Sequence, residues 1–173
     1  MDGPRRQLTG PPAGAPVGLG HDLQLVSEVE GASALKEPGV FFTPAELRRI
    51  ASATSPAESL AGGFSAKEAL FKALPAAGET WFWTDAELVH DRHGAPRFHA
   101  RGPLADHLAR HRLRVSVSLS HSGGFVSSVV IVTGGTSADP RLPSTLHTFR
   151  RTIRRGIRRV LRRVPAQTAG APQ

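Results

Sequence analysis

The stretch that decides the fold is FSAKEALFKAL, residues 64–74. It is the strongest part of a predicted helix over residues 55–74, which Pro75 ends. Glu68 and Lys72 stand four residues apart, so they share one face of that helix. Such a pair is usually a surface salt bridge, but the flanking apolar residues indicate that this helix is partly buried.

Alternating and continuous apolar runs on both sides of this helix predict strands. The predicted strands are residues 17–26, 81–90, 97–100, 113–120 and 125–133. Thr43, Pro44 and Glu46 have the spacing of a capped helix start, and residues 104–110 form another short helix. The order of these elements predicts an α+β fold in which a small antiparallel sheet packs on a long helix.

The positive charge is concentrated near the C-terminus. The net charge is +8, and eight arginines occur as four pairs that recur every four residues. The pairs are Arg150–Arg151, Arg154–Arg155, Arg158–Arg159 and Arg162–Arg163. Apolar residues between them fall on one side of a helix, so this segment is predicted as an appended basic amphipathic helix. It is a solvated surface helix or a contact for an anionic partner, namely acidic protein, phospholipid or nucleic acid.

Composition shifts predict the domain organisation, and length fits about one domain for 173 residues. We expect a flexible tail at 1–14, a folded domain at 15–133, a linker at 134–145, the basic helix at 146–164 and a flexible tail at 165–173.

Several classes of protein are excluded by composition. The chain has no cysteine, which excludes disulfides, thiolate zinc sites and cysteine nucleophiles. It has no apolar run of about 18–20 residues and no secretory signal at its start. We therefore expect a soluble, cytoplasmic protein.

Two further motifs accompany the helix pair. Asp22 follows Gly18 and Gly20 in the first predicted strand, and Ser120 and His121 stand where a later strand turns. Taken singly, an aspartate at a strand end is usually a turn or cap residue, and a lone histidine at a strand-to-turn junction is usually structural.

Together, in this order, the motifs resemble a known family. They are VGLGHDL at 17–23, FTPAEL at 42–47, LAGGFSAKEALFKAL at 60–74, DRHGAP at 91–96 and VSLSH at 117–121. The combination resembles the 4′-phosphopantetheinyl transferases, specifically the small holo-acyl-carrier-protein synthase type.

The resemblance implies an activity. Such an enzyme transfers the 4′-phosphopantetheine arm of coenzyme A to a serine of an apo acyl carrier protein, with Mg²⁺, and releases 3′,5′-ADP. The carrier would serve fatty-acid, polyketide or peptide synthesis. The family also implies a homo-oligomer, a trimer with active sites at the subunit contacts.

The resemblance also implies residue roles. Asp22 and Glu68 would hold Mg²⁺, and Glu68, directly or through water, would be the base for the carrier serine. Lys72 would neutralise or protonate the leaving phosphate. The remaining expected coenzyme A contacts are Lys67, Pro96, Ser120 and His121.

Two positions depart from the family pattern. Gly63 stands where the family usually has arginine, and Glu28 stands where the family has basic residues that pair with an acidic carrier. One alternative reading is therefore a catalytically weakened domain that binds carrier protein or coenzyme A. Another is a binding module led by the basic helix, attached to membrane or nucleic acid. A third expectation is that carrier docking has moved to the arginine helix at 149–163.

Overall fold

The structure is a computed structural model that describes residues 16–74 and 80–134. Its strands are β1 (Pro16–Leu25), β2 (Ala86–His90), β3 (Pro96–Ala100), β4 (Arg114–Ser122) and β5 (Phe125–Thr133). Its α-helices are α1 (Val26–Glu30), α2 (Pro44–Ala51), α3 (Pro56–Ala73) and α4 (Gly102–Arg110). The predicted basic helix at 146–164, both predicted tails and nearly all of the linker lie outside the described residues.

The strands form two separate antiparallel sheets around α3. One sheet has the order β1-β5-β4, and the other is the β2–β3 hairpin. Helix α3 packs against β1 and β5 on one side and against α1, α2 and β2 on others. Because it is covered on several sides, most of its residues are buried rather than a single stripe. The predicted α+β class and the long central helix are confirmed.

Two glycines of β1 allow α3 to lie directly against the strand. A Cβ atom built on Gly20 would lie 1.8 Å from the carbonyl oxygen of Ala69, and one on Gly18 would lie 1.8 Å from that of Ala73. Real atoms cannot approach so closely, so only glycine fits at these positions. The glycines and the facing alanines therefore set the distance between the first strand and the helix.

The predicted start of α2 is confirmed in detail. Glu46 N donates to Thr43 Oγ1 at 3.2 Å, and Thr43 N donates to Glu46 Oε2 at 2.8 Å. These two reciprocal bonds form a capping box, with Pro44 in the first turn. The carboxylate of Glu46 is fully buried, which brings a charged group into the core beneath α3.

Two predicted strand boundaries were wrong, and one short helix was missed. Residues 81–85 are not strand, because Trp83–Asp85 form a 3₁₀ turn in which Asp85 Oδ2 accepts from Phe82 N at 2.8 Å. Strand β4 continues through Ser122, beyond the predicted strand end at residue 120. Gly123 and Gly124, both with positive φ, make the turn into β5 by themselves. Helix α1 is too short to show a helical period in sequence.

Among the described helices, none combines the length and the apolar character needed to cross a bilayer.

Candidate active site

The candidate site lies where β1 crosses the second half of α3. Side chains of a strand alternate between its two faces, so Asp22 shares the helix-facing side with Gly20. Gly18 contacts the backbone of Ala73 and Gly20 that of Ala69, so β1 runs back along α3 and Asp22 lies about one turn nearer the start of the helix, within reach of the Lys72 side chain. The close packing allowed by glycine is what brings a strand carboxylate to the helix pair recognised in sequence.

Lys72 joins the two carboxylates. Its Nζ donates to Asp22 Oδ1 at 2.6 Å and lies 3.4 Å from Glu68 Oε2. It also donates to the carbonyl oxygen of His21 at 3.3 Å. The side chains of Asp22 and Glu68 are only 11% and 10% exposed, whereas that of Lys72 is 40% exposed. The predicted convergence of Asp22, Glu68 and Lys72 is present in the structure.

The oxygen atoms at this site fit a hard cation. Two carboxylates and a backbone carbonyl surround one point, and Mg²⁺ prefers oxygen ligands of this kind. Asp22 Oδ2 is buried and has no hydrogen-bond partner within residues 16–74 and 80–134. In the same residues, no three His, Cys, Asp or Glu side chains group together. The arrangement suits Mg²⁺, which commonly takes one or two carboxylates and fills its other positions with phosphate and water.

Ser128 belongs to this site and was missed from sequence. It lies directly across the β1–β5 ladder from Asp22, on the helix-facing side, and is fully buried. Its hydroxyl has no hydrogen-bond partner among the described residues. In the alternation of β5 it interrupts the apolar inward positions Val126, Val130 and Val132, and that interruption is the signal that could have identified it.

The two predicted residues of β4 point to opposite faces of the sheet. The ring of His121 lies on the helix side, because a Cβ atom on Gly62 would lie 3.5 Å from its Nε2. Ser120, one residue earlier, is exposed on the outer face. On β1, the exposed His21 ring is hydrogen bonded to Ser127 Oγ at 3.0 Å. Only His121 of the predicted β4 pair shares the side of α3 within this chain.

The predicted contact at Pro96 belongs to the second sheet. Pro96 begins β3 and pairs with His90, after a turn organised by Asp91. Hydrogen bonds from the backbone N–H groups of His93 and Ala95, and from Arg97, hold the pKa of Asp91 below its usual range. The turn is therefore well ordered by its own residues, in a different sheet from Asp22.

Lys67 does not occupy the place expected for a coenzyme A contact. It is fully buried, and its Nζ donates to Phe41 O and Glu46 Oε2 at 2.8 Å and to Trp83 O at 3.0 Å. Three acceptors use all three hydrogens of an ammonium group. The expectation fails because this side of α3 faces the core, where Lys67 links three segments of chain.

The carboxylate of Glu46 stabilises the charge on Lys67 and so offsets part of the cost of burying it. Burial lowers the pKa of Lys67, and the neighbouring carboxylate of Glu46 opposes that shift. The ring of Phe42 lies 4.8 Å from the ammonium and adds a cation–π contact. The backbone N–H of Leu88 also donates to Glu46 Oε1, at 2.9 Å. The buried carboxylate therefore has a hydrogen-bond donor in addition to Lys67.

Gly63, where the family pattern has arginine, lies against the core and not against the acidic pair. A Cβ atom there would approach Phe42 Cε1 to 2.9 Å. Phe42 is fully buried, so its ring has little room to move. In this chain, the space for a longer side chain at position 63 is taken by Phe42.

Comparison with known proteins identifies the class. The family model described as the 4′-phosphopantetheinyl transferase superfamily matches residues 18–130. That range contains both carboxylates, Lys72, the whole of α3 and most of β1. The chain belongs to this superfamily, as its motifs predicted.

Three individual synthases are similar to this chain over nearly their whole length. The holo-[acyl-carrier-protein] synthase of Clavibacter michiganensis is 39% identical over 121 residues, covering 68% of this chain and 95% of the relative. The structure of the Neisseria meningitidis synthase matches with a TM-score of 0.60 and 28% identity, over 68% of this chain and 98% of that one. A Bacillus anthracis synthase solved in complex with CoA (3′,5′-ADP) matches with a TM-score of 0.55 and 25% identity, over 68% and 96%.

Proposed function

We propose that this chain is a holo-[acyl-carrier-protein] synthase that acts in the cytoplasm. It transfers the 4′-phosphopantetheine arm of coenzyme A to a serine of an apo acyl carrier protein and releases 3′,5′-ADP. The observation that carries the proposal is the meeting of Asp22, Glu68 and Lys72 at contacts of 2.6 and 3.4 Å, within the matched range 18–130. The names of the relatives and the coenzyme A complex support the same reaction.

The residues have distinct roles in this reaction. The carrier serine oxygen forms a bond to the phosphorus that bears pantetheine, and the bond from that phosphorus to the ADP oxygen breaks. Glu68, directly or through water, accepts the serine proton. Lys72 places a positive charge beside the leaving phosphate, which gains negative charge as the bond breaks. His121 lies on the same side of the sheet and is the remaining candidate for a phosphate contact.

Asp22 and Glu68 would together hold Mg²⁺. When bound, the ion neutralises the pyrophosphate and orients it. Both side chains are nearly buried, one on β1 and the other on α3, which suits them to hold an ion between the strand and the helix.

The direct test is mass spectrometry of an apo carrier protein incubated with the full chain, coenzyme A and Mg²⁺. We expect the carrier to gain one phosphopantetheine group. Asp22→Ala and Glu68→Ala should each slow the gain about a hundredfold or more. Glu58→Ala, an exposed glutamate on the same helix, is the matched control and should leave the rate unchanged. Coenzyme A binding without any transfer would favour the weakened binding domain instead.

Docking of the carrier is assigned in this proposal to the arginines at 150–163. An acidic carrier would be repelled by Glu28, which is exposed on α1 at the end of β1. The eight paired arginines are the densest positive charge in the sequence. Replacing all eight by glutamine should raise the KM for the carrier and leave the KM for coenzyme A nearly unchanged. Unchanged carrier kinetics would contradict this assignment.

The proposal also includes a homo-oligomer, the trimer that the family resemblance implies. The outer face of the β1-β5-β4 sheet exposes Leu19, Leu23, Val129 and Ile131, and Leu19 pairs directly with Ile131. Adjacent exposed apolar side chains of this kind commonly mark a contact surface. Light scattering should show a trimer for the wild type and monomers for Leu19→Ser/Ile131→Ser. A monomeric wild-type protein would contradict the proposed assembly.

A further inference from the structure

The Lys72 ammonium lies at the point where the proposed metal would have its ligands. Three oxygen atoms surround it, from Asp22, Glu68 and the carbonyl of His21, at 2.6, 3.4 and 3.3 Å. This is the donor set of a hard cation, two carboxylates and a carbonyl, with a protein cation in the centre. The two positive charges cannot both occupy that point.

The Lys72 side chain can move away from the site while Asp22 and Glu68 stay in place. Lys72 is 40% exposed and sits in the last turn of α3, whereas the two carboxylates are about one-tenth exposed. An exposed lysine exchanges its partner for water at low cost, because its long side chain has many solvated rotamers. Two adjacent carboxylates in a nearly buried site repel each other, and a cation between them removes that repulsion.

We infer that Lys72 is the resident counter-ion of the metal site, and that metal binding displaces its ammonium into solvent beside the site. The inference rests on the proposed function, since it concerns the same two carboxylates. In the absence of metal, Lys72 keeps Asp22 and Glu68 together and stabilises the folded protein. Once displaced, the ammonium is free to contact a phosphate, so one residue has two successive partners.

Metal competition gives the inference a readout that is independent of catalysis. Mn²⁺ is the probe, and its free concentration is followed by electron paramagnetic resonance with the full chain. Removing the competing ammonium by Lys72→Met should lower the Kd for Mn²⁺ about threefold to fivefold, the size expected for a partly exposed ion pair. Lys72→Arg keeps the charge and should bind Mn²⁺ as the wild type does.

Lys36→Met is the matched control, because Lys36 Nζ also donates to a backbone carbonyl, that of Glu30, away from the acidic pair. It should leave the Kd unchanged. In a chelator, Lys72→Met should melt below the wild type, and Mg²⁺ should raise its melting temperature more than it raises that of the wild type. This second measurement also shows that the variant is folded.

The outcomes separate the inference from the proposed function. If Lys72→Met binds Mn²⁺ no more tightly than the wild type, while Asp22→Asn abolishes binding, the metal site exists and the competition does not. If neither the wild type nor Lys72→Met binds Mn²⁺, both the competition and the metal role of Asp22 are overturned.

Discussion

Helix α3 carries two lysine–carboxylate sites of opposite character. Lys67 and Glu46 lie 2.8 Å apart with side chains 0% and 1% exposed, and every polar hydrogen of the lysine has a fixed acceptor. Lys72 meets Asp22 and Glu68 at similar distances but is itself 40% exposed. The same residue types therefore form a permanent structural link on one side of the helix and an exchangeable one on the other.

The difference teaches how one helix both builds and uses the fold. A buried ion pair is costly to break, because either partner alone would be an unpaired charge in the core. A pair at the surface is weak, because water competes for both groups. Lys67 thus fixes α3 against the Phe41 and Trp83 segments, which allows Glu68 and Lys72 to be presented to β1 in a constant position.

The largest expected effect comes from breaking the buried site. Lys67→Met leaves Glu46 unpaired in the core and should reduce the free energy of unfolding by about 3–5 kcal/mol. Lys72→Met, with the partly exposed lysine, should cost about 1 kcal/mol or less. Chemical denaturation of both variants in chelator measures the contrast. Equal losses would show that the two sites do not differ in kind.

The second-largest effect is expected from a substitution that separates β1 from α3 at the Lys72 site only. Gly20→Ala places a Cβ atom on the carbonyl of Ala69 and should force β1 away from α3, at about 3 kcal/mol. Transfer activity should fall with stability, because Asp22 moves from Glu68. Gly31→Ala is the control, since its Cβ would meet only Ser27 O at 3.8 Å. Full activity in Gly20→Ala would contradict the role given to the glycine.

A smaller effect is expected from a substitution at Gly63, which departs from the family pattern and packs against the core. Gly63→Ala pushes on Phe42, whose ring lies under the Lys67 ammonium, and should cost about 1–2 kcal/mol. Calorimetry of coenzyme A binding to this variant should show an unchanged Kd, because position 63 faces the buried site. A large change in that Kd would place position 63 at the ligand.

The smallest effect concerns the Asp91 carboxylate in the β2–β3 turn, which is 23% exposed. The pKa of Asp91 is lowered in the folded protein, so its hydrogen bonds stabilise the fold above the unfolded pKa of about 4 and are lost as pH falls through the lower folded value. Asp91→Asn should therefore melt about 1 °C lower than the wild type at pH 7 and approach it in acid. Asp106→Asn, the same change at an exposed position on α4, is the control and should melt as the wild type does at pH 7. A difference that grows in acid would contradict the assigned cause.

Local patterns in the sequence predicted much of the secondary structure of this protein. The helix start at Thr43, the long helix through Glu68 and Lys72, and the alternating strands depend on neighbours within a few residues, so they can be read from the chain. The order of the motifs also predicted the family. Boundaries such as Trp83–Asp85 could not be read, because a packed aromatic ring and a side-chain hydrogen bond decide them.

By itself the sequence determined the helix face that bears the charged pair, the family and Asp22 as the carboxylate to meet that pair. Only the tertiary structure decided that Lys67 belongs to the core, that Ser128 lies across from Asp22, and that Ser120 and His121 face opposite ways. The physical reason is that burial and pairing depend on which segments pack together. A lysine in a helix has the same local pattern whether it meets a buried glutamate or water.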